Sequence, residues 1–217
     1  MKRILALTLC LFALPVLAES AAPSGFLSDY TRLEKEGPFR SRYMGYSAPG
    51  AETLRKSPAV YVSPLVRFPN DAKFGDLDDA LVDSVLAYTG EQLRSQLAVR
   101  TRVVDDKASA DLTLEVALTA LAAEAAGKTA LDLVPVRLIT GAAKTAIKGK
   151  DMDATATIEM RLSQSAPATI LRESVHELVG DSIGRAKSED THMSLDALKP
   201  AIDKWVALVV DQIAPKP

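Results

Sequence analysis

The sequence predicts a single α/β domain in which a mixed, twisted sheet of about five strands packs against helices, with an α+β arrangement as the alternative. Three observations predict this fold class. A short apolar run at 59–66 is followed by an amphipathic helical pattern that ends near Val99. Apolar and polar residues alternate strictly over 112–118 and again over 151–163, as in strands with one solvated face. A nearly ideal helical stripe of apolar residues closes the chain.

Composition allows this domain to fold without covalent help. The chain has 217 residues, of which 47% are apolar and only 5% aromatic, so the core is expected to be mainly aliphatic. The formal net charge is −2. Phosphate binding requires a concentrated positive surface, so nucleic acid is not expected as a partner.

The first residues predict export. A basic start at Lys2 and Arg3 precedes an apolar run over 4–17, and Val16-Leu17-Ala18 offers small residues at a signal-peptidase site. We therefore expect residues 1–18 to be a signal peptide and the mature chain to begin at Glu19 in the periplasm. The apolar run is shorter than the roughly 20 residues that a spanning helix needs.

Cysteine usage bears on anchoring and on thiol chemistry. The chain has 1 cysteine, Cys10, which lies inside the apolar run and follows Leu9 instead of a small residue. Lipid anchoring is therefore not expected. The mature protein is also expected to have no disulfide, catalytic thiol or cysteine-bound metal.

Residues 19–57 are expected to form an extended N-terminal arm in front of a domain that spans 58–214. Gly, Pro, Ser, Tyr and charged residues dominate the arm without a clear period. Its large apolar residues suit a short helical turn that docks on the domain: Phe26, Leu27, Tyr30 and Leu33. A basic and aromatic cluster follows at Arg40, Arg42, Tyr43 and Tyr46, and it either contacts a partner or, as we favour, pins the arm to the domain.

The first half of the domain is predicted as strand, helix and strand. The run 58–68 has the composition of a strand buried on both faces, and Pro64 is expected to interrupt its ladder. Gly90 lies in the middle of the helix, where it costs about 1 kcal/mol relative to Ala, so close packing is expected there. The carboxylates of 70–79 lack the spacing of a calcium loop and suit the first turn of a helix. No metal and no cofactor are expected.

The second half is predicted as a hairpin and a last helix. Residues 151–163 form the clearest strand, and 169–179 are expected to return antiparallel. Charged residues interleaved in the second strand, among them Arg172, Glu173 and His176, favour an edge position. Residues 180–192 are expected to form a polar, mobile loop, and Trp205 to anchor the last helix in the core.

Several of these segments together resemble a known family. Ser24-Gly25-Phe26-Leu27-Ser28-Asp29-Tyr30, followed by the strand from Val60 to Pro64, resembles domain of unknown function 3313, an uncharacterised bacterial envelope family. The strand 112–119 and the Trp-containing last helix fit the same pattern. The resemblance covers most of the mature chain, but its motifs carry no catalytic content. Members are often lipoproteins, and this sequence departs from them because it lacks a usable lipobox.

A basic connector over 122–150 is the segment that the fold explains least. Its apolar residues at helical spacing are flanked by lysines and an arginine. We favour a crossover helix that covers the sheet, and a surface for anionic lipid or an acidic partner is the alternative. The residues named for that surface are Leu131, Leu138, Arg137, Lys144 and Lys148.

The sequence contains no recognisable catalytic motif. Its 2 histidines, His176 and His192, have no partner at metal-ligand spacing, and no nucleophile elbow or phosphate loop is present. We expect a non-catalytic periplasmic module that binds another envelope protein, with peripheral membrane contact as a further option. The alternative is a carrier of a small apolar ligand or lipid, held between the sheet and residues 131–147. A hydrolase assembled from His176 with Glu159 or Glu173 and a serine is a weaker alternative.

Overall fold

The computed structural model describes residues 23–35, 43–48, 58–74, 77–125, 151–165, 168–185 and 193–214. The strands are β1 Glu34–Lys35, β2 Tyr43–Ser47, β3 Ala59–Val62, β4 Val66–Arg67, β5 Arg102–Val104, β6 Leu112–Ala125, β7 Asp151–Gln164 and β8 Thr169–Arg185. The long helices are α1 Asp79–Ala98 and α2 Leu195–Ile213. Short 3-10 turns lie at Tyr30–Arg32 and Lys107–Ser109.

The strands form one mixed sheet in the order β1-β2-β8-β7-β6-β3-β5, with β4 also paired to β6. β6, β7 and β8 form an antiparallel meander, whereas β3 runs parallel to both β5 and β6. The predicted α/β fold class, a mixed sheet with helices packed on it, is confirmed. The five predicted strands correspond to β3, β5, β6, β7 and β8. The sheet also contains β1 and β2, which come from the segment predicted as the arm.

β8 lies inside the sheet, so the prediction of an edge strand is wrong. β7 pairs along one side of it, and β2 pairs along the other from Tyr43 opposite His176 to Ser47 opposite Arg172. β8 also continues to Arg185, so residues 180–185 are strand where a mobile loop was expected. The charges interleaved in β8 therefore need a different explanation, which the opposite face of the sheet provides.

The two helices contact each other and share one apolar core with the sheet. Asp78 caps α1 by accepting a hydrogen bond from the Ala80 N–H at 3.0 Å. The Tyr88 hydroxyl donates to Asp203 at 2.8 Å and links α1 to α2. Close packing at Gly90 is confirmed, because a Cβ there would lie 3.4 Å from Leu65 Cδ1.

α2 packs directly against the backbone of β8 at Gly180. A Cβ at this position would overlap the carbonyl oxygen of Ala197 and lie 3.0 Å from its carbonyl carbon and 3.2 Å from Leu198 Cα. Glycine is therefore required here by space. In the described parts of the chain, no helix is both long and apolar enough to cross a membrane.

Candidate functional site

The face of the sheet opposite the helices carries a row of charged residues. The register places Glu115 of β6, Arg161 of β7 and Glu173 of β8 side by side. Glu159 lies two residues before Arg161 on the same face of β7. Glu159 is 3% exposed and Glu173 is 0% exposed. Burial of charge is costly unless the charge is paired and hydrogen-bonded.

The N-terminal residues 23–33, here called the clasp segment, cover this row. The Ser28 N–H donates to Glu173 Oε1 at 2.8 Å, and the Ser28 hydroxyl lies 2.9 Å from both Glu173 oxygens. Arg161 Nε donates to Glu173 Oε1 at 3.2 Å. Both oxygens of the buried Glu173 carboxylate are thus engaged by donors of the protein itself.

Tyr30 is the second contact between the clasp segment and the sheet. Its hydroxyl donates to Glu159 Oε2 at 2.6 Å and accepts from the N–H groups of Gly25 at 3.0 Å and Leu27 at 3.2 Å. Burial raises the pKa of the Glu159 carboxyl, and the hydrogen bond from Tyr30 offsets part of that increase. The pKa of Tyr30 is also raised, first by burial and then by its bond to Glu159.

Arg161 joins the carboxylates of Glu173 and Glu115 to the clasp backbone. Its guanidinium donates to the carbonyl oxygen of Phe26, and its Cζ lies 5.3 Å from the centre of the Phe26 ring. A terminal nitrogen of Arg161 is 3.6 Å from Glu115 Oε2. The Phe26 ring in turn meets Phe68 edge-on at 5.6 Å. One guanidinium therefore contacts β6, β8 and the clasp segment together.

The local sequence explains why the clasp segment takes this shape. Gly25 has φ +93°, a left-handed conformation that favours glycine. The Ser24 hydroxyl accepts from the Phe26 N–H at 3.0 Å, and Asp29 caps the 3-10 turn by accepting from the Thr31 N–H at 2.9 Å. The bonds from Thr31 lower the pKa of Asp29.

Apolar contacts complete the docking. Leu27 and Leu33 are buried, at 5% and 8% exposure. The prediction that the large apolar residues of the arm dock on the domain through a short helical turn is confirmed. The polar residues of the 24–30 motif therefore shape the clasp segment and hydrogen-bond the carboxylates of the charged row.

The hydrolase constellation expected as a weak alternative does not form. His176 faces the helices, where its Nε2 lies 2.9 Å from Ser174 Oγ and its ring meets Trp205 edge-on at 5.9 Å. Glu159 and Glu173 lie on the clasp side of the sheet, which is the face opposite to that of His176 and Ser174. Trp205 is 4% exposed and belongs to the core, as predicted.

The acidic residues at the start of α1 form ordinary surface interactions. Arg67 pairs with Asp79 at 2.6 Å and Asp83 at 2.9 Å, and Lys73 pairs with Asp79 at 2.6 Å. These cations lower the pKa of Asp79. Within the described ranges, no group of three or more His, Cys, Asp or Glu residues is placed to hold a metal ion.

The charged row was missed at the sequence level. The polar residues of β7 were interpreted as a solvated face, and Glu173 as an edge-strand charge. One usable signal was present: Arg161 and Glu173 carry opposite charges at facing positions of a predicted hairpin. The burial of these positions could not be read from the alternation, because a covered polar face and a wet one give the same pattern.

The predicted surface of the connector lies outside the described residues. This applies to Leu131, Arg137, Leu138, Lys144 and Lys148, and also to residues 1–18 and to Arg40 and Arg42. The proposals that depend on them rest on the sequence alone.

Comparison with solved structures finds likeness over most of the chain. A PelC dodecamer from Paraburkholderia phytofirmans has 14% identity and a TM-score of 0.40, covering 81% of this chain and 98% of that one. The hypothetical protein CT253 from Chlamydia trachomatis has 8% identity and a TM-score of 0.44, covering 73% and 98%. Likeness at this level carries no argument about function.

Comparison with known sequences identifies the family. The uncharacterised lipoprotein YdcL of Escherichia coli K12 is 23% identical over 189 residues, which is 83% of this chain and 80% of that protein. Its description as a lipoprotein gives no support to the expectation that a lipid anchor is absent. The family model described as protein of unknown function DUF3313 matches residues 22–209. The match spans the clasp segment, the whole sheet and most of α2, and the chain belongs to this family.

Proposed function

We propose that this chain is an exported, non-catalytic envelope protein that acts by binding another envelope protein. The observation that carries the proposal is the engagement of Glu159, Arg161 and Glu173 by the clasp segment. A general acid or base must reach a substrate proton. These groups instead contact the chain itself, and the Glu159 and Glu173 carboxylates are nearly or fully buried, which supports a role in holding the fold. Binding of a partner would then involve the outer surfaces of the protein.

An envelope location is supported by the lipoprotein description of the Escherichia coli relative. The finer proposal is cleavage after Ala18 and release into the periplasm. It is tested by fractionating cells that express the full chain, sequencing the N-terminus of the product and labelling with a palmitate analogue. We expect a periplasmic product that starts at Glu19 and carries no label. Label that disappears in a Cys10→Ser variant would contradict the unanchored form.

Partner binding is tested by crosslinking in living cells. A photoreactive residue is placed at exposed positions of α1, and separately in the connector, for example at Leu131 or Leu138. We expect a discrete adduct with one envelope protein from at least one surface. The control is a photoreactive residue at the buried position Leu114, which should give none. Absence of adducts from every exposed position would contradict the proposal.

The basic connector is the surface we favour, because its charge and apolar spacing suit an acidic partner or anionic lipid. Lys144→Glu/Lys148→Glu is compared with Arg102→Glu/Lys204→Glu, which makes the same charge change at exposed positions elsewhere. In the crosslinking experiment, only the connector variant should lose the adduct. In co-sedimentation with anionic vesicles, loss in the connector variant alone would indicate lipid as the contact. Equal behaviour of the two variants in both assays would exclude the connector.

A further inference from the structure

β5 forms one end of the sheet, and its outer side is unpaired in the part of the chain that the structure describes. Its inner side pairs in parallel with β3, with Val103 opposite Val60. The Asp111 N–H donates to the Ala59 carbonyl oxygen at 2.8 Å, so Ala59 directs its backbone groups to β6 and Val60 directs its own to β5. In such a ladder the N–H and C=O of Val103 point away from β3. An edge of this kind can accept another strand.

The residues on either side of β5 define the length of this edge. Asp106 keeps β geometry, with φ −106° and ψ 121°, before the following 3-10 turn. Backbone groups alternate in direction along a strand, which places those of Asp105 on the same outer side as those of Val103. At the other end the Thr101 N–H already donates to the Leu97 carbonyl oxygen at 2.8 Å. The groups open to an incoming strand are therefore those of Val103 and Asp105.

The charges along the edge have opposite signs at its two ends. Arg102 begins β5, Asp105 and Asp106 follow it, and all three residues are exposed. Among the described residues Arg102 and Asp105 have no side-chain partner, and the Asp106 carboxylate accepts only the Ala108 N–H, at 3.0 Å through Oδ1. Like charges on an edge repel a second copy, which is one way in which edges are protected. Here an antiparallel copy would meet the opposite charge at each end.

We propose that the β5 edge pairs with the β5 edge of a second copy of this chain, antiparallel and about a two-fold axis at Val104. In this register the backbone of Val103 exchanges hydrogen bonds in both directions with that of Asp105 in the other copy. Arg102 of each copy then lies directly opposite Asp106 of the other. The proposal is independent of the proposed partner binding, because it involves neither the connector nor a different protein.

The length of the paired region sets the expected affinity. β5 has three residues, and interfaces smaller than about 1,200 Å² are typically weak and transient. Apolar surface is also present near the edge, because Val99, which is 84% exposed, comes three residues before β5. We therefore expect a reversible dimer with a dissociation constant of about 0.1 mM.

Sedimentation equilibrium of the exported chain, at concentrations up to about 1 mM, measures this dimer directly. Arg102→Asp and Asp106→Arg each replace attraction by repulsion at both symmetry-related contacts, so each should raise the dissociation constant by about fivefold to thirtyfold. The combined variant Arg102→Asp/Asp106→Arg restores opposite charges and should return to within about threefold of the wild type. Urea unfolding of the dilute proteins verifies that each variant is folded.

Cysteine crosslinking tests the register. Val104→Cys is made in a Cys10→Ser chain, because facing residues of a non-hydrogen-bonded antiparallel pair have Cα atoms about 4.5 Å apart, within the range of a disulfide. Val66→Cys in the same chain is the matched control: it also replaces a valine in a short strand, and Val66 is 37% exposed. Under mild oxidation only the Val104→Cys chain should form a disulfide-linked dimer. Adding Arg102→Asp should slow its formation.

A chain that stays monomeric at about 1 mM, as expected if another part of the chain covers this edge, would overturn the proposal. So would a dimer whose dissociation constant is the same in Arg102→Asp as in the wild type, or one that the combined variant fails to restore. Equal crosslinking of the Val104→Cys and Val66→Cys chains would likewise overturn it.

Discussion

Replacement of Glu173 by glutamine tests how the clasp segment is held. The side chain keeps its size and one carbonyl oxygen for the Ser28 N–H, now 2.8 Å from Oε1. It loses the negative charge that faces Arg161 Nε at 3.2 Å and one acceptor for the Ser28 hydroxyl. Glu173 is 0% exposed, so water does not replace what is lost.

The expected loss in unfolding free energy depends on the contacts that Arg161 keeps in the variant. Removing one partner of a buried ion pair typically costs about 3–5 kcal/mol. Arg161 is 23% exposed and keeps Glu115 at 3.6 Å, so part of that cost is relieved. We therefore expect a loss of about 2–3 kcal/mol in the free energy of unfolding. For a domain of this size that corresponds to a melting temperature lower by about 4–12 °C.

Glu115→Gln is the matched control. It makes the same change of charge and also faces Arg161, but Glu115 is 34% exposed and its contact is longer, at 3.6 Å. Exposed pairs contribute about 0–1 kcal/mol, so this variant should be nearly neutral. Both proteins are compared with wild type by equilibrium urea unfolding, with calorimetry to check two-state behaviour. Equal losses in the two variants, within about 0.5 kcal/mol, would refute the assignment of Glu173 as the buried attachment point.

Three further predictions concern the packing, the buried acid and a helix cap. Gly180→Ala should destabilise the protein by about 2 kcal/mol in urea unfolding, because its Cβ would overlap the Ala197 carbonyl. Gly90→Ala, measured in the same way, should be neutral or stabilising by up to about 1 kcal/mol. The raised pKa of Glu159 means that the folded state holds its proton more tightly than the unfolded chain. The free energy of unfolding should therefore fall as pH rises from the unfolded pKa, about 4.3, through the raised folded pKa. Glu159→Gln should abolish this part of the pH dependence. An unchanged slope of unfolding free energy against pH in the variant would contradict the prediction. Asp78→Ala should cost about 1 kcal/mol through loss of the cap on α1, measured in the same unfolding assay.

The regular elements were readable from the sequence because their apolar patterns have a single explanation. The alternation in β7 and the apolar stripes of α1 and α2 each predicted an element that the structure contains. β1 and β4 have two residues each, too few for any period to show. β2 and its place beside β8 depend on contacts between residues more than 120 positions apart, for example Tyr43 and His176.

The charged row could not be predicted, for a physical reason. Glu173 in β8 gives the same local pattern whether it faces solvent or a covering segment. Its burial depends on Ser28, which lies 145 residues away and contributes a backbone N–H that every non-proline residue has. The motif around Ser28 was recognisable as a family feature. Its role in covering Glu159 and Glu173 is visible only in the structure.

Hydrogen exchange at the Ser28 amide tests the central claim most directly. If the clasp segment is an integral part of the fold, this amide should exchange as slowly as core amides of β7, such as that of Met160, and much faster in Glu173→Gln than in Glu115→Gln. Rapid exchange of the Ser28 amide in the wild type, with β7 protected, would contradict the claim. The charged row would then be open to other molecules, and its role would have to be reconsidered.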